Sequence, residues 1–244
     1  MTVDLPMDSA AWGRLLDLAS EPYRAAGRFA WHFARGKLDH DPVFRHLLAA
    51  GLIAQDARVL DIGCGQGLLA SLLRACDVMR RAGDWPADWP PAPAGAQVTG
   101  IELMQRDVER ARAALGTTDK VRFVCGDMRS EAFPASDAVV ILDVLHYITH
   151  AEQDAVLGRV RDALVPGGWL LLRVGDAGKR RGFAISQWVD RVVTRLRGHT
   201  VAPVYGRPLA DWIGRLRQLG MQVEPRPMSQ GTPFANVLLV ARRA

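Results

Sequence analysis

The residues of this chain best placed to do chemistry form one tight group and three separate ones. Asp61, Gly63, Gly65 and Gly67 sit between a short apolar run (Val59, Leu60, Ile62) and a second one from Leu68 to Leu73, while Glu102, Asp127 and His146 each follow a later apolar run. The first run reads as a buried strand and the second as a helix. Glycines at such a join let the backbone turn sharply and let a ligand approach closer than a Cβ would permit. The spacing is G-x-G-x-G, whereas a dinucleotide loop has G-x-G-x-x-G. An acid also stands two residues before the first glycine. A pyrophosphate wants amide donors with no negative charge nearby. The acid suits a ligand with positive charge, such as an amino group or a sulfonium.

Around these residues the pattern alternates strands and helices. Strands are predicted over 58–62, 97–103, 121–125, 137–142, 169–174, 221–224 and 236–241, with helices over about 68–73, 106–115, 152–164 and 209–219. Such alternation argues for an α/β fold with a mostly parallel, doubly wound sheet. Residues 1–54 read as a helical cap. Ser9 opens a helix to about Leu18, Pro22 a second that Gly36 stops, and Asp41-Pro42 a third that Gly51 ends. A cap over the carboxyl ends of the strands would wall a ligand crevice. Residues 77–96 are rich in Trp and Pro and read as a surface loop. Residues 55–174 form the core, 175–207 a lid-like insertion with an amphipathic helix, and 208–244 a terminal helix and hairpin, all within one domain.

The stretch Asp61-Ile62-Gly63-Cys64-Gly65-Gln66-Gly67 resembles motif I of the class I S-adenosylmethionine-dependent methyltransferases. The likeness runs from Val59 to the C-terminus through Gly100-Ile101-Glu102, Cys125-Gly126-Asp127 and Leu164-Val165-Pro166-Gly167-Gly168. It implies a Rossmann-like sheet of seven strands, the last antiparallel, and S-adenosylmethionine as cofactor. By that resemblance Gly63, Gly65 and Gly67 form a floor beneath the methionine part, and Asp61 faces its amino group. Glu102 accepts from both ribose hydroxyls, being an acceptor-only group able to take two donors. Asp127 accepts from the adenine amino group with Met128 against the ring, and Leu142 and Asp143 lie near the methionine amino group and the sulfonium. Arg35 is the candidate donor to the cofactor carboxylate, with Lys37 behind it.

Methyl transfer is an in-line displacement, and a phenol or alcohol acceptor needs a base. A histidine is the side chain best poised near neutral pH, and His146 is the first candidate, ahead of His32 and Tyr23. The Asn- or Asp-Pro-Pro-aromatic motif of exocyclic amine methylation is replaced here by Asp143-Val144-Leu145-His146-Tyr147, so a small-molecule hydroxyl is the expected acceptor and nucleic acid is disfavoured. A similarity of the Tyr23–Ala30 and Val43-Phe44 segments to methyltransferases of aryl-polyene and polyketide pigment clusters implies an aryl or acyl secondary-metabolite intermediate. It names an acyl carrier protein as a candidate partner, docked on Lys179, Arg180 and Arg181 and on Arg191, Arg195 and Arg197. A solvated basic face is the plainer reading of those residues. The rival functions are a non-catalytic S-adenosylmethionine-binding protein and an NAD-dependent oxidoreductase.

Composition sets outer bounds. The chain has 244 residues, 49% of them hydrophobic and 23% charged, so a large core can form. No apolar run reaches the ~18–20 residues that span a bilayer, and the acidic start broken by Pro6 does not read as a secretory signal. A net charge of +5 permits an anionic substrate. Three cysteines, without metal-like spacing, fit a reducing cytoplasm. No metal site is expected.

Overall fold

The computed structural model describes residues 9–176, 205–229 and 236–244. Its seven strands, β1 (Arg58–Ile62), β2 (Gln97–Glu102), β3 (Val121–Cys125), β4 (Ser136–Leu142), β5 (Leu164–Gly175), β6 (Met221–Pro227) and β7 (Asn236–Arg243), follow the order β3-β2-β1-β4-β5-β7-β6 in a Rossmann-like mixed sheet. The backbone divides into two compact units, Met1–Val139 and Val140–Ala244.

The first unit opens with α1 (Ser9–Ser20), a 3-10 turn (Glu21–Arg24), α2 (Arg28–His40) and α3 (Pro42–Ala49). It continues with β1 (Arg58–Ile62), α4 (Leu68–Ala82), β2 (Gln97–Glu102), α5 (Gln105–Leu115) and β3 (Val121–Cys125). Strand β4 (Ser136–Leu142) crosses the division. Strands β1, β2 and β3 pair in parallel, with Asp61 opposite Gly100 and Glu102 opposite Cys125. Val59, Leu60 and Ile62 are all buried, as expected of a parallel strand covered on both faces. The amide and guanidinium of Arg58 grip Asp137 at 2.8–3.0 Å and so tie the first residue of β1 to β4.

The second unit holds a 3-10 turn (Leu145–Tyr147), α6 (His150–Ala163), β5 (Leu164–Gly175), α7 (Leu209–Gln218), β6 (Met221–Pro227) and β7 (Asn236–Arg243). Strand β7 runs antiparallel to both β5 and β6. Thr149 and Glu152 form a reciprocal capping box at the start of α6, each side chain accepting from the other's backbone N–H.

Several boundaries differ from the sequence reading. Pro22 opens only a 3-10 turn, because Gly27 at φ 101° breaks the chain before α2 starts at Arg28. Gly36 does not stop that helix, which runs through it to His40; an interior glycine costs only ~1 kcal/mol, which packing overrides. Helix α4 outlasts the expected one and ends at Gly83 in a left-handed turn, its amide bonded to Arg80 O at 3.2 Å and that of Asp84 to Met79 O at 2.9 Å. In the Trp-Pro loop that follows, Trp85 and Trp89 pack edge to face at 5.1 Å, and Trp85 Nε1 donates to Pro90 O at 3.0 Å. The tryptophans therefore close the loop on itself. The helix expected within 175–207, with its basic residues, lies outside the described residues.

Gly100 in the middle of β2 is dictated by packing. A Cβ there would come within 2.7 Å of Cys64 Sγ and 2.8 Å of the Phe123 ring. Gly100→Ala should destabilise the protein by about 1–3 kcal/mol through overpacking, read as a lowered urea midpoint at unchanged m-value.

Candidate active site

The glycine loop between β1 and α4 is built from left-handed backbone, with φ of 75°, 53° and 75° at Gly63, Gly65 and Gly67. The amides of Gly63 and Cys64 donate to Ile101 O at 2.8 and 3.2 Å, and that of Gly67 to Cys64 O at 2.9 Å. From outside the loop, the hydroxyl of Tyr23 donates to Gln66 O at 2.8 Å. The glycines differ in what requires them. A Cβ on Gly67 would strike the Phe123 ring at 2.6 Å, whereas one on Gly65 would meet nothing within 4 Å. Gly67 is therefore demanded by packing and its φ, while Gly65 faces open space.

Glu102 at the tip of β2 reaches back to the same loop. Its Oε2 accepts from the Gly65 amide and its Oε1 from the Met104 amide, both at 2.9 Å. Burial raises its carboxyl above the usual range, with those two amides opposing the rise. Asp61 is more extreme. It is 5% exposed, and no hydrogen bond or ion pair reaches its carboxyl among the described residues. Burial first, and the charge of Glu102 second, push it up to about 7. Gln66, in the glycine loop, is 2% exposed, with neither Oε1 nor Nε2 hydrogen-bonded among the described residues. Buried polar groups left so are rare and costly. An acid with no donor, next to a glycine open to space, fits a cationic amino group held against bare backbone.

The other expected residues stand as follows. Asp127 is held by Arg129 through the backbone amide (2.9 Å) and the guanidinium (2.6–3.0 Å), which keeps its carboxyl below the usual range. Met128 beside it is half-buried. Arg35 lies in an ion pair with Asp17 of α1, and Lys37 pairs with Asp41 at 2.7 Å. In the second unit Leu142 ends β4 half-buried. Asp143 adopts a φ of 59° and takes both Nε (3.0 Å) and Nη2 of Arg173, a side chain only 3% exposed. His146 is half-buried in the 3-10 turn with its ring 4.2 Å from that of Tyr147. Tyr23, named above as a further base candidate, is fully buried, with burial holding its hydroxyl proton far above the usual range. It is a fastener of the loop. His32 is exposed and packs its ring on Trp31 at 4.5 Å.

Sequence reasoning passed over Leu103 and Arg173. Leu103 directly follows Glu102 and is 62% exposed, an unusual place for a large apolar side chain. Arg173 is the one charge in the apolar run Trp169–Val174. A buried charge in a strand demands a carboxylate partner, and that was the available signal.

The sheet order, the acid-glycine loop and the strand-tip carboxylate together define a class I methyltransferase architecture. A family model described as a methyltransferase domain matches residues 30–224, and the chain belongs to that family, whose methyl donor is S-adenosylmethionine. It is similar to the ubiquinone biosynthesis O-methyltransferase of Xanthomonas axonopodis pv. citri, 28% identical over 75% of this chain and 70% of that protein. A shorter match of 37% identity covers 24% of this chain and 17% of the tetracenomycin polyketide synthesis 8-O-methyl transferase of Streptomyces glaucescens. Among solved structures, magnesium protoporphyrin IX methyltransferase from Synechocystis with bound SAH superposes with a TM-score of 0.57 at 19% identity, covering 97% of this chain and all of that one.

Asp61 makes stability depend on pH with a definite sign. Its carboxyl, raised from 3.8 to about 7, holds a proton in the native state that the unfolded chain releases at lower pH. Without cofactor, stability should therefore fall as pH rises from about 4 to about 7, by up to ~1.4 kcal/mol per pH unit. Asp61→Asn should flatten that slope in urea denaturation series at pH 5 and pH 7.5. An unchanged slope would remove Asp61 as its source.

Proposed function

We propose that this protein transfers a methyl group from S-adenosylmethionine to a hydroxyl oxygen of a small molecule. The observation that carries the reading is the buried Asp61 carboxyl, which has no donor among the described residues and lies at the glycine loop. Bound S-adenosylmethionine supplies an electrophilic methyl group on a sulfonium. Asp61 binds its amino group, and the open face of Gly65 admits the ligand against the backbone. Glu102, oriented by the Gly65 and Met104 amides, keeps lone pairs for the ribose hydroxyls. Leu103 gives the adenine ring an apolar neighbour, with Met128. Asp127 serves the adenine amino group with the lone pairs that Arg129 leaves over. Gly63, Gly67, Leu142 and Asp143 complete the proposed cofactor set. Arg35 joins it only by leaving Asp17.

The chain's chemical task is then to align the acceptor and take its proton. Alignment alone can supply much of the acceleration of a displacement. We assign the proton to the imidazole of His146. Similarity to the Xanthomonas ubiquinone biosynthesis O-methyltransferase supports oxygen over carbon or nitrogen as the atom attacked. The polyketide O-methyl transferase match supports an aryl secondary-metabolite acceptor. An acyl carrier partner stays a proposal, as does a cytoplasmic location, which the free thiols of Cys64, Cys76 and Cys125 support. No helix among the described residues is long and apolar enough to cross a membrane.

Two measurements test the roles. Glu102→Ala should weaken S-adenosylmethionine by about 1.5–3 kcal/mol, the range for a hydrogen bond to a charged group, in titration calorimetry; an effect near zero would place Glu102 outside the site. With catechol, 4-hydroxybenzoate and 1-naphthol as acceptors, His146→Ala should lower turnover about 10²–10⁴-fold at unchanged cofactor affinity. Wild-type turnover in that variant would strike out the base, and tight cofactor binding with no transfer to any phenol would favour a binding protein.

A further inference from the structure

Gln153 on α6 is 0% exposed and makes an unusual set of bonds for a buried amide. Its Nε2 is shared among three backbone carbonyls, Leu145 O at 3.0 Å, Ile148 O at 3.1 Å and Tyr205 O at 2.8 Å. Its Oε1 accepts from Arg207 Nε at 2.7 Å. The chemistry fixes which end is which, since a guanidinium only donates and a carbonyl only accepts. Arg207 is itself pinned. It donates to His150 O at 2.5 Å, pairs with Asp154 at 2.9 Å and lies over the Trp212 ring at 5.3 Å.

The carbonyls that Gln153 holds bracket the 3-10 turn of His146. The carbonyl of His146 accepts from the Tyr205 amide at 2.8 Å, and the amides of Tyr147 and Ile148 close the turn on Val144 O and Leu145 O, both at 3.2 Å. One side chain thus joins the start and end of the turn to the Tyr205 carbonyl and the Arg207 guanidinium. A short turn has few bonds of its own, so its geometry rests on these outside partners.

We infer that Gln153 is a positioning residue for methyl transfer, fixing through the Leu145–Ile148 backbone where the His146 imidazole stands. The inference rests on the proposed role of His146. Glutamate at this position would keep the bond to Arg207 but turn a carboxylate toward three carbonyls, withdrawing the side-chain donor from each and leaving Leu145 O only the Ile148 amide. Methionine would keep volume and lose both functions. Gln153 belongs to the second unit, whereas the glycine loop and Glu102 belong to the first.

A double-mutant cycle tests this with S-adenosylmethionine and the phenol of the three above that is turned over fastest. Gln153→Glu should lower kcat about 10- to 100-fold, as displacement of a reacting group does, with the S-adenosylmethionine Kd within about twofold of wild type. In the His146→Ala background the same change should cost no further turnover, because the group it positions is gone. Equal losses in both backgrounds would overturn the inference and leave His146 as base. A lowered Tm with unchanged kcat well below that temperature would reduce Gln153 to a structural residue and overturn it too. Wild-type turnover by His146→Ala alone would remove the base reading and the inference with it. Should Gln153→Glu fail to fold, Arg207→Lys, which keeps the charge facing Asp154 but withdraws the Nε donor from Gln153, is read in the same cycle with the same criteria.

Discussion

A carboxyl group buried without a donor is the constraint from which the first unit's design follows. Asp61 sits at 5% exposure with Glu102 as the charge that further raises it. Nothing in the fold of the described residues satisfies it, and burial of this kind costs stability. The loop around it is tied by hydrogen bonds from several sides. Amides bonded to Ile101 O, a Tyr23 hydroxyl on Gln66 O and a Glu102 carboxylate on the Gly65 amide hold the backbone where a flexible loop would let the acid reach water. The arrangement is stable only because the surrounding structure over-determines it.

Much of this was legible in the sequence because it is local. The acid and three glycines between two apolar runs state a strand, a turn and a helix in thirteen residues, and β2 and β3 announce themselves by apolar runs ending in Glu102 and Cys125. The β-hairpin at the end was equally visible, since β6 and β7 are separated by turn-forming residues. What escaped was decided at a distance. Pro22 looked like the first turn of a long helix, yet Gly27 sets the boundary and Gly36 rides inside α2, as tertiary packing outweighs a weak propensity. Tyr23 read as core or base, and only the fold shows its hydroxyl spent on the glycine loop. Asp127 and Arg35 carry the right chemistry in sequence, but each has a partner, Arg129 and Asp17, that spacing alone does not single out.

The second unit follows a different rule: its polar residues act by pairing. Arg173 lies buried in β5 and pairs with Asp143, which holds a left-handed conformation that a non-glycine residue adopts rarely. Gln153 and Arg207 divide donors and acceptors between them so that each is satisfied. Removing one member of such a set costs more than the bond itself, because its partner is left buried and unpaired. These residues look unremarkable in a sequence, where Gln153 is one polar residue in a polar helix. Their weight comes from where the turn before α6 and Tyr205 place their carbonyls.

The central claim, that Asp61 waits protonated for a cationic donor, has a direct thermodynamic signature. Titration of S-adenosylmethionine in pairs of buffers with different ionisation enthalpies counts the protons exchanged on binding. At pH 6 the free protein should hold the Asp61 proton and release close to one proton per cofactor bound, falling toward zero by about pH 8. Binding at pH 6 with no proton released, or with the same release in Asp61→Asn, would contradict the account.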